Sequence, residues 1–415
     1  MHPFTSLVLA ALVLATATRL WLARRQIRHV AMHRSAVPAE FAETIDLAAH
    51  QKAADYVVAK TRLGQVEIAI GAALFLAFTL GGGIQALADA WSHVFAAGGY
   101  AHGIALLLSL AAIGAVIELP MDLYRVFVIE ARFGFNRMTP ILFVADTAKQ
   151  IVLGLALGVP LLFVVLWLMA QMGSLWWLYV WLTWAGFNLL MVAIYPTLIA
   201  PIFNKFTPLA DAALAARIEN LLARCGFRAR GLYVMDGSKR SSHGNAYFTG
   251  FGAAKRIVFF DTLIERLAPE EIEAVLAHEL GHFKRRHVWK RMAWLAVASL
   301  AFLAALGYLA AEPWFYNALG VSSMTTATAL ALFSLVVPIF AFLLQPLASR
   351  ASRKHEYEAD AYAASHASAG DLVHALVKLY RDNAATLTPD PLHSVFYDSH
   401  PPAQLRIARL QSLAA

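Results

Sequence analysis

Long apolar runs without lysine or arginine alternate along this chain with polar segments that carry all of its basic residues. The windows 1–18, 63–124, 150–204 and 292–349 contain none of the 34 lysines and arginines. A charged side chain at the centre of a bilayer is costly, so such windows are typical of membrane spans and of the loops between them on the far side. Seven runs of about 20 residues, the length that a bilayer core requires, lie in or against these windows. They predict membrane helices over Phe4–Ala23, Ile68–Leu87, Gly103–Leu119, Ile151–Ala170, Leu175–Tyr195, Met292–Ala311 and Ala327–Leu347.

The distribution of arginines predicts the orientation of these helices. No basic residue precedes the first run, whereas four arginines follow it within residues 24–34. A secretory signal peptide shows the reverse order. Because positive loops stay in the cytoplasm, we expect the N-terminus outside and both segment 201–291 and the tail after Arg350 inside.

The composition supports a membrane protein. Of the 415 residues, 59% are hydrophobic and 15% charged, and the mean hydropathy is +0.58. Soluble domains are nearer half apolar and a quarter charged. The single cysteine, Cys225, excludes a disulfide framework. We assign the net charge of +7 to cytoplasmic loops facing lipid headgroups and expect no nucleic-acid partner.

These patterns predict a mainly α, polytopic fold in four parts. Residues 1–200 hold five membrane helices, 201–291 a catalytic segment, 292–348 two more helices and 349–415 a C-terminal cytoplasmic segment. Within the catalytic segment, an amphipathic helix over 211–225 precedes three short strand-like runs. The strand-like runs, which indicate a small β-sheet, are Gly231–Met235, Ala246–Thr249 and Arg256–Phe260.

A helix predicted over 269–287 carries the H-E-x-x-H sequence His278-Glu279-Leu280-Gly281-His282. At about 100° per residue, the two histidines differ by only about 40° around the helix and can bind one Zn²⁺ ion. Glu279 lies beside them, placed to take a proton from a zinc-bound water. The spacing therefore predicts one catalytic zinc per chain.

Catalytic zinc needs a third protein ligand, which the sequence leaves to be found. A third histidine six residues after the second is excluded, because that position is Val288. On a continuous helix His287 would lie about 180° from His278, which favours a polar residue near the membrane surface. Glu356 and Asp360, one turn apart in E-x-x-x-D, could supply a ligand and an acceptor for a histidine N–H, with Glu358 pointing to solvent. The alternative for this stretch is a solvated acidic turn.

At this point the chain resembles the type I CAAX prenyl proteases, which are integral-membrane zinc endopeptidases. The resemblance covers most of the chain and rests on motifs that precede and follow the H-E-x-x-H helix in the sequence. Those motifs are Phe127-Val128-Ile129-Glu130, Gly134-Phe135-Asn136, Thr139, Ile199-Ala200-Pro201, Phe203-Asn204-Lys205-Phe206, Asp236-Gly237-Ser238-Lys239-Arg240-Ser241-Ser242-His243, Asn245-Ala246-Tyr247-Phe248, Glu356–Asp360, His400-Pro401-Pro402 and Arg406.

The resemblance implies seven helices around a large chamber, with zinc where the chamber meets the cytoplasmic domain. It implies His278, His282 and Glu356 as ligands and Glu279 as general base. It also implies that Asn245, Ala246 and Tyr247 form a strand edge that pairs with the substrate backbone. His400 and Arg406 match positions near the active site, and His400 would donate a hydrogen bond to the tetrahedral oxyanion.

The substrate is left open at this point. The resemblance implies a peptide or protein that is prenylated or associated with the membrane. Compact loops and a short tail favour a bacterial inner membrane, where quality-control cleavage without a prenyl group is an alternative. An alternative from another class is a polytopic transporter or scaffold with structural histidines. Glu67, Glu118 and Asn188, polar residues in or beside predicted helices, are compatible with a wet interior or with helix ends.

Overall fold

The computed structural model describes residues 1–228, 230–249 and 256–414. Seven helical segments in these ranges are long and apolar enough to cross a membrane, which confirms the predicted number. In order, they are Pro3–Met32, Leu47–Phe78, Tyr100–Glu130, Pro140–Gln171, Gly173–Phe203, His287–Leu309 and Thr326–His366.

The second span departs most from its predicted bounds. It runs from Leu47 to Phe78, and Asp46 caps its start by accepting the N–H of Ala49 at 2.7 Å. Its first half carries lysine and arginine, so the apolar pattern alone could not reveal it. The glycines at 81–83 end this span, because Gly82 has φ +76°, a conformation that favours glycine.

The middle spans bury few of their residues. In the most apolar window of spans two to six, only 6–11% of residues are buried, against 33% and 44% in spans one and seven. A helix packed into a solid bundle would bury one whole face, about a third of its residues or more. These helices are therefore packed more loosely than spans one and seven, as the walls of a chamber would be.

Four strands form the small predicted sheet. β1 (Phe206–Pro208), β2 (Leu232–Met235), β3 (Ala246–Thr249) and β4 (Arg256–Phe260) lie in the order β1-β2-β4-β3. The β2–β4 pair is parallel and the other two pairs are antiparallel. β1 escaped prediction because it has three residues and includes a proline. β3 forms one edge of the sheet.

Two helices carry the predicted zinc ligands. We number the helices α1 to α16 in chain order. The helix with the H-E-x-x-H sequence, α10 (Pro269–Lys284), ends before the sixth span, α11 (His287–Leu309), begins. The seventh span, α13 (Thr326–His366), is a single helix of 41 residues that continues past the predicted membrane segment and carries Glu356 and Asp360.

The remaining helices complete the membrane and extramembrane parts. They are α1 (Pro3–Met32), α2 (Leu47–Phe78), α3 (Gly83–Ser92), α4 (Tyr100–Tyr124), α5 (Pro140–Gln171), α6 (Trp176–Ile194), α7 (Ala200–Phe203), α8 (Ala212–Arg224), α9 (Asp261–Ile264), α12 (Pro313–Asn317), α14 (Ala369–Asp382), α15 (Pro391–Tyr397) and α16 (Ala403–Ala414), with π-helical stretches at Arg125–Glu130 and Tyr195–Ile199.

Candidate active site

Helices α10 and α13 bring the three predicted metal ligands together. One ligand atom from each of His278, His282 and Glu356 lies within 4.8 Å of the others. The Nε2 atoms of the two histidines are 3.2 Å apart, and Glu356 Oε1 is 3.2 Å from His282 Nε2. Carboxylate and imidazole groups that converge in this way form a donor set suited to zinc.

One atom of this group supports a metal directly. Glu356 Oε2 is buried and forms no hydrogen bond within the described part of the chain. A buried carboxylate oxygen without a partner is unfavourable. A divalent cation between the three side chains would satisfy it, so these residues fit the metal that the motif predicts.

Close packing of two helices produces this convergence, and it depends on Gly281. A Cβ on Gly281 would lie 2.9 Å from Cα and 3.0 Å from the carbonyl oxygen of Ala359. Those distances are shorter than real Cβ contacts, so only glycine allows the approach. Gly281 precedes one ligand, and Ala359 lies between Glu356 and Asp360, so the contact sets the separation of the ligands.

Asp360 and Arg406 lie behind His278. The Nδ1–H of His278 donates to Asp360 Oδ1 at 2.8 Å, which directs Nε2 toward the other ligands. Arg406, itself buried, donates from Nε and a terminal nitrogen to both Asp360 oxygens at 2.8 Å. Its terminal nitrogen also lies 3.6 Å from Glu356 Oε2.

Glu279 and His400 complete the predicted set. Burial raises the pKa of Glu279, although both neighbouring imidazoles act to lower it. His400 Nε2 lies 3.4 Å from Glu356 Oε2, and its side chain is 62% exposed. His400 therefore stands at the open side of the site, where a substrate can reach it.

The expectation for His287 was wrong because the helix is not continuous. Arg286 adopts a left-handed conformation with φ 55°, which ends α10 and turns the chain. His287 is buried, and its Nδ1 lies 3.0 Å from Nδ1 of His282. It therefore contacts a metal ligand from behind instead of marking the membrane surface.

Glu358 was also expected to point into solvent, and it does not. Its Oε2 lies 3.0 Å from His287 Nε2, and only 29% of its side chain is exposed. Glu358, His287 and His282 thus form a hydrogen-bonded row that ends at the ligand group. In the sequence, Glu358 stands two residues after Glu356. Helix geometry alone places it on another face of α13 and does not show that His287 lies against that face.

The predicted substrate strand lies beside α10. Ala246 shares an apolar core with Ala277 and Leu280, which flank His278 and Glu279. The Asn245 carbonyl accepts the Phe260 N–H, so alternation along an antiparallel pair leaves the polar groups of Ala246 facing away from β4. Asn245 Oδ1 accepts the Ala246 N–H at 2.8 Å, so the free edge is partly satisfied by its own side chain. Burial raises the pKa of Tyr247 to about 12, so its phenol keeps its proton.

The loop before this strand contacts Asn383 and Glu130. Asn383 Oδ1 accepts the Gly244 N–H at 3.2 Å and lies 3.2 Å from His243 Nδ1. Glu130 lies 3.6 Å from the other ring nitrogen of His243 and accepts a hydrogen bond from Tyr56 at 2.6 Å. The loop before the predicted substrate strand is thereby tied to two membrane helices.

The polar residues of the spans have simple surroundings. Glu67 pairs with Arg125, which also donates to Asp122 at 2.6 Å. Asn188 donates to the carbonyl of Trp184 one turn earlier at 2.7 Å. Glu118 is exposed.

Comparisons with known proteins agree with this geometry. Residues 26–205 match the CAAX prenyl protease N-terminal family of five membrane helices, and residues 208–414 match peptidase family M48. A CAAX prenyl protease 1 homolog of Arabidopsis thaliana is 39% identical over 74% of this chain and 72% of its own length. CAAX prenyl protease 1 of Saccharomyces cerevisiae is 36% identical over 75% and 72%. The crystal structure of S. mikatae Ste24p has a TM-score of 0.92 and 30% identity, and the match covers 99% of each chain.

Proposed function

This chain belongs to peptidase family M48 and is a multi-pass membrane metalloprotease; from that premise, we propose that its metal is zinc and that His278, His282 and Glu356 hold it. The observation that carries this proposal is the convergence of these three side chains around a buried carboxylate oxygen that forms no hydrogen bond within the described residues. Family membership also favours the peptidase over the transporter or scaffold alternative.

A bound zinc ion would act as a Lewis acid, lowering the pKa of a coordinated water toward 7 and polarising the scissile carbonyl. Glu279 accepts the proton of the attacking water and returns it to the leaving amine. Its raised pKa, caused by burial, makes Glu279 a stronger base than an exposed glutamate. His400, at the open side, donates a hydrogen bond to the developing oxyanion.

Two further groups position the substrate and the ligands. We assign the edge of β3, with Asn245, Ala246 and Tyr247, to main-chain pairing with an extended peptide. Pairing requires the Asn245 side chain to release the Ala246 N–H. Asp360 and Arg406 hold His278 in one tautomer and one orientation, so we propose that Arg406 positions a ligand and does not contact substrate.

We propose a prenylated C-terminal peptide as substrate, because the relatives over most of this chain are named CAAX prenyl proteases. A chamber among the spans would admit a lipid-modified chain to the site from the membrane. Because positive loops stay in the cytoplasm, we propose that the catalytic segment and the C-terminus face the cytoplasm. Compact loops remain the ground for proposing a bacterial inner membrane.

The test compares the wild type with Glu279→Gln, each purified in detergent. Both should retain one zinc by elemental analysis, while Glu279→Gln loses at least about 100-fold in cleavage rate. Exposed Glu219 on α8 gives a matched control, and Glu219→Gln should keep full activity. Equal cleavage by wild type and Glu279→Gln would overturn the assignment of the base.

The same assay tests the substrate. One peptide sequence is offered with and without a farnesyl group on its cysteine. Faster cleavage of the farnesylated form supports the prenyl-dependent function. Equal rates for both forms would favour the quality-control alternative and leave the chemistry of Glu279 unaffected.

A further inference from the structure

A basic groove lies between the sheet and the ends of two membrane helices. It has a volume of about 580 Å³, and its cations come from α5, the chain after α7, the loop after β2 and the start of β4. These cations are Lys149, Lys205, Lys239 and Arg256. We call this site the basic groove.

The four positive charges of the basic groove are only partly balanced by the one acidic residue that lines it. The one acidic residue of its wall, Asp236, accepts the backbone N–H of Lys205 at 2.7 Å. Lys149 donates to the carbonyl of Ile202 at 2.9 Å, and Arg256 lies over the ring of Tyr233. Within the described residues, none of these four cations forms an ion pair. Like charges gathered at one wall repel each other, and an anion in the groove would relieve this repulsion.

Two exposed aliphatic side chains lie on the membrane side of Lys149 and Ile202, two residues of the basic groove. Because Lys149 contacts Ile202, these two residues lie at the same depth. The α5 helix runs from there into the membrane, whereas the fifth span approaches from the membrane. Val152, one turn along α5, and Leu198, one turn before Ile202, are 67% and 63% exposed. We call these two side chains the apolar wall.

We propose that the basic groove binds the headgroup of an anionic phospholipid, whose acyl chains lie against Val152 and Leu198. The phosphate fits the lysines as a compact anion, and the glycerol backbone bridges the polar and apolar walls. The apolar wall distinguishes a lipid from free phosphate, which would gain nothing from it. The basic groove includes residues beside and within β1, β2 and β4, and His278, Glu279, His282 and Glu356 are not among its lining residues.

The experiment measures lipid binding to the intact, delipidated chain in neutral detergent by native mass spectrometry. Dioleoyl phosphatidylglycerol and dioleoyl phosphatidylcholine are the probes. The wild type should bind phosphatidylglycerol preferentially, and Lys205→Gln/Lys239→Gln should weaken that binding at least about tenfold. Thermal melting checks that the double variant is folded.

A matched control removes two cations elsewhere at the same end of the molecule. Arg24 and Arg28 are exposed near the end of α1, whose neighbour Arg25 pairs with Asp390 of the C-terminal segment. Arg24→Gln/Arg28→Gln should change phosphatidylglycerol binding less than about twofold. An equal loss in both double variants would show diffuse attraction and overturn the proposal.

A second pair of arms separates lipid from free phosphate. Inorganic phosphate at millimolar concentration should not displace dioleoyl phosphatidylglycerol. Val152→Gln/Leu198→Gln should weaken the binding of dioleoyl phosphatidylglycerol and leave the binding of dihexanoyl phosphatidylglycerol unchanged. Displacement by phosphate, or identical binding of both chain lengths in every variant, would identify a simple anion site and contradict the lipid assignment.

Discussion

At the residue scale, the site is a set of ligands and the groups that hold them. The H-E-x-x-H spacing predicted two ligands and a base, because helix periodicity alone places them together. It could not predict His287, since the break at Arg286 is a backbone event that reverses the expected direction of that side chain. The same break explains why Glu358 was expected in solvent, since its partner is His287.

The row from Glu358 through His287 to His282 predicts an effect on metal affinity. A His282 that binds zinc through Nε2 carries its proton on Nδ1, and His287 Nδ1 accepts it. His287→Ala removes that acceptor and should weaken zinc binding by about 10- to 100-fold, measured by competition with a chromogenic chelator.

The conservative variants separate positioning from general damage. Glu358→Gln keeps an acceptor for His287 and should weaken zinc binding less than His287→Ala does. At saturating zinc, His287→Ala should recover most of its kcat. Unchanged zinc affinity in His287→Ala would show that the row only fills space.

At the element scale, α10 and α13 meet at a contact that no single-residue pattern reveals. The sequence predicted both helices and their ligands, and β2, β3 and β4 as well. It could not show that Gly281 sits against Ala359, because the separation of two helices is a property of the pair. The same limit hid the continuity of α13 from its membrane segment to Asp360.

Gly281→Ala should therefore impair metal binding without changing a ligand. The new Cβ forces α10 away from α13, at a cost of about 1–3 kcal/mol in unfolding free energy. Zinc affinity and the melting temperature should both fall. Gly158→Ala is the control, since a Cβ there meets no atom within 4 Å, and it should be neutral or slightly stabilising.

The junction between α1 and α15 gives a prediction for pH. Asp390 caps α15 by accepting the N–H groups of Leu392 and His393, and it pairs with Arg25 at 2.9 Å. Burial acts to raise the pKa of Asp390, but the hydrogen bonds from Arg25 and from the His393 N–H, together with the positive charge of Arg25, outweigh it, so the pKa lies below its usual value. The stabilisation is therefore present above the ordinary carboxyl pKa of about 4 and is lost as the pH falls below it.

Asp390→Asn keeps a capping oxygen and removes the charge. Near pH 7 its unfolding free energy should be lower than that of the wild type by about 1 kcal/mol, a small loss because Arg25 is 42% exposed. Its melting temperature should fall accordingly. The difference should shrink as the pH falls through the acidic range. Asp211→Asn is the control, because Asp211 caps α8 and forms no ion pair with any described residue; its difference from the wild type should not follow the pH in this way. A constant difference at all pH values would rule out the ion pair as its source.

At the scale of the whole molecule, the apolar pattern was sufficient for the number of spans but not for their arrangement. The charge gaps mark where the chain enters the membrane, and they correctly gave seven spans. They missed the first half of α2, because its lysines and arginine lie outside the apolar window. The loose packing of spans two to six is also a collective property, visible only in their low burial.

Metal removal should be felt by the whole molecule. The three proposed ligands lie on the helix next to the sheet and on the seventh span, so a bound zinc ion would tie the extramembrane and membrane parts together. Chelation should lower the melting temperature, and hydrogen exchange should rise in α10 and around Glu356. A His278→Ala variant should melt alike with and without chelator, and a wild type that did the same would contradict a structural role for zinc.

The 41 residues of α13 have a practical consequence. Its C-terminal part carries one proposed ligand, and its N-terminal part anchors it in the membrane. The helix that carries the other two, α10, is joined to the sixth span through only two residues, Arg285 and Arg286. No single continuous fragment of this chain holds all three proposed ligands without also holding the sixth span and the membrane part of the seventh. Any truncated enzyme, natural or engineered, must therefore retain part of the lipid-facing scaffold or abandon its chemistry.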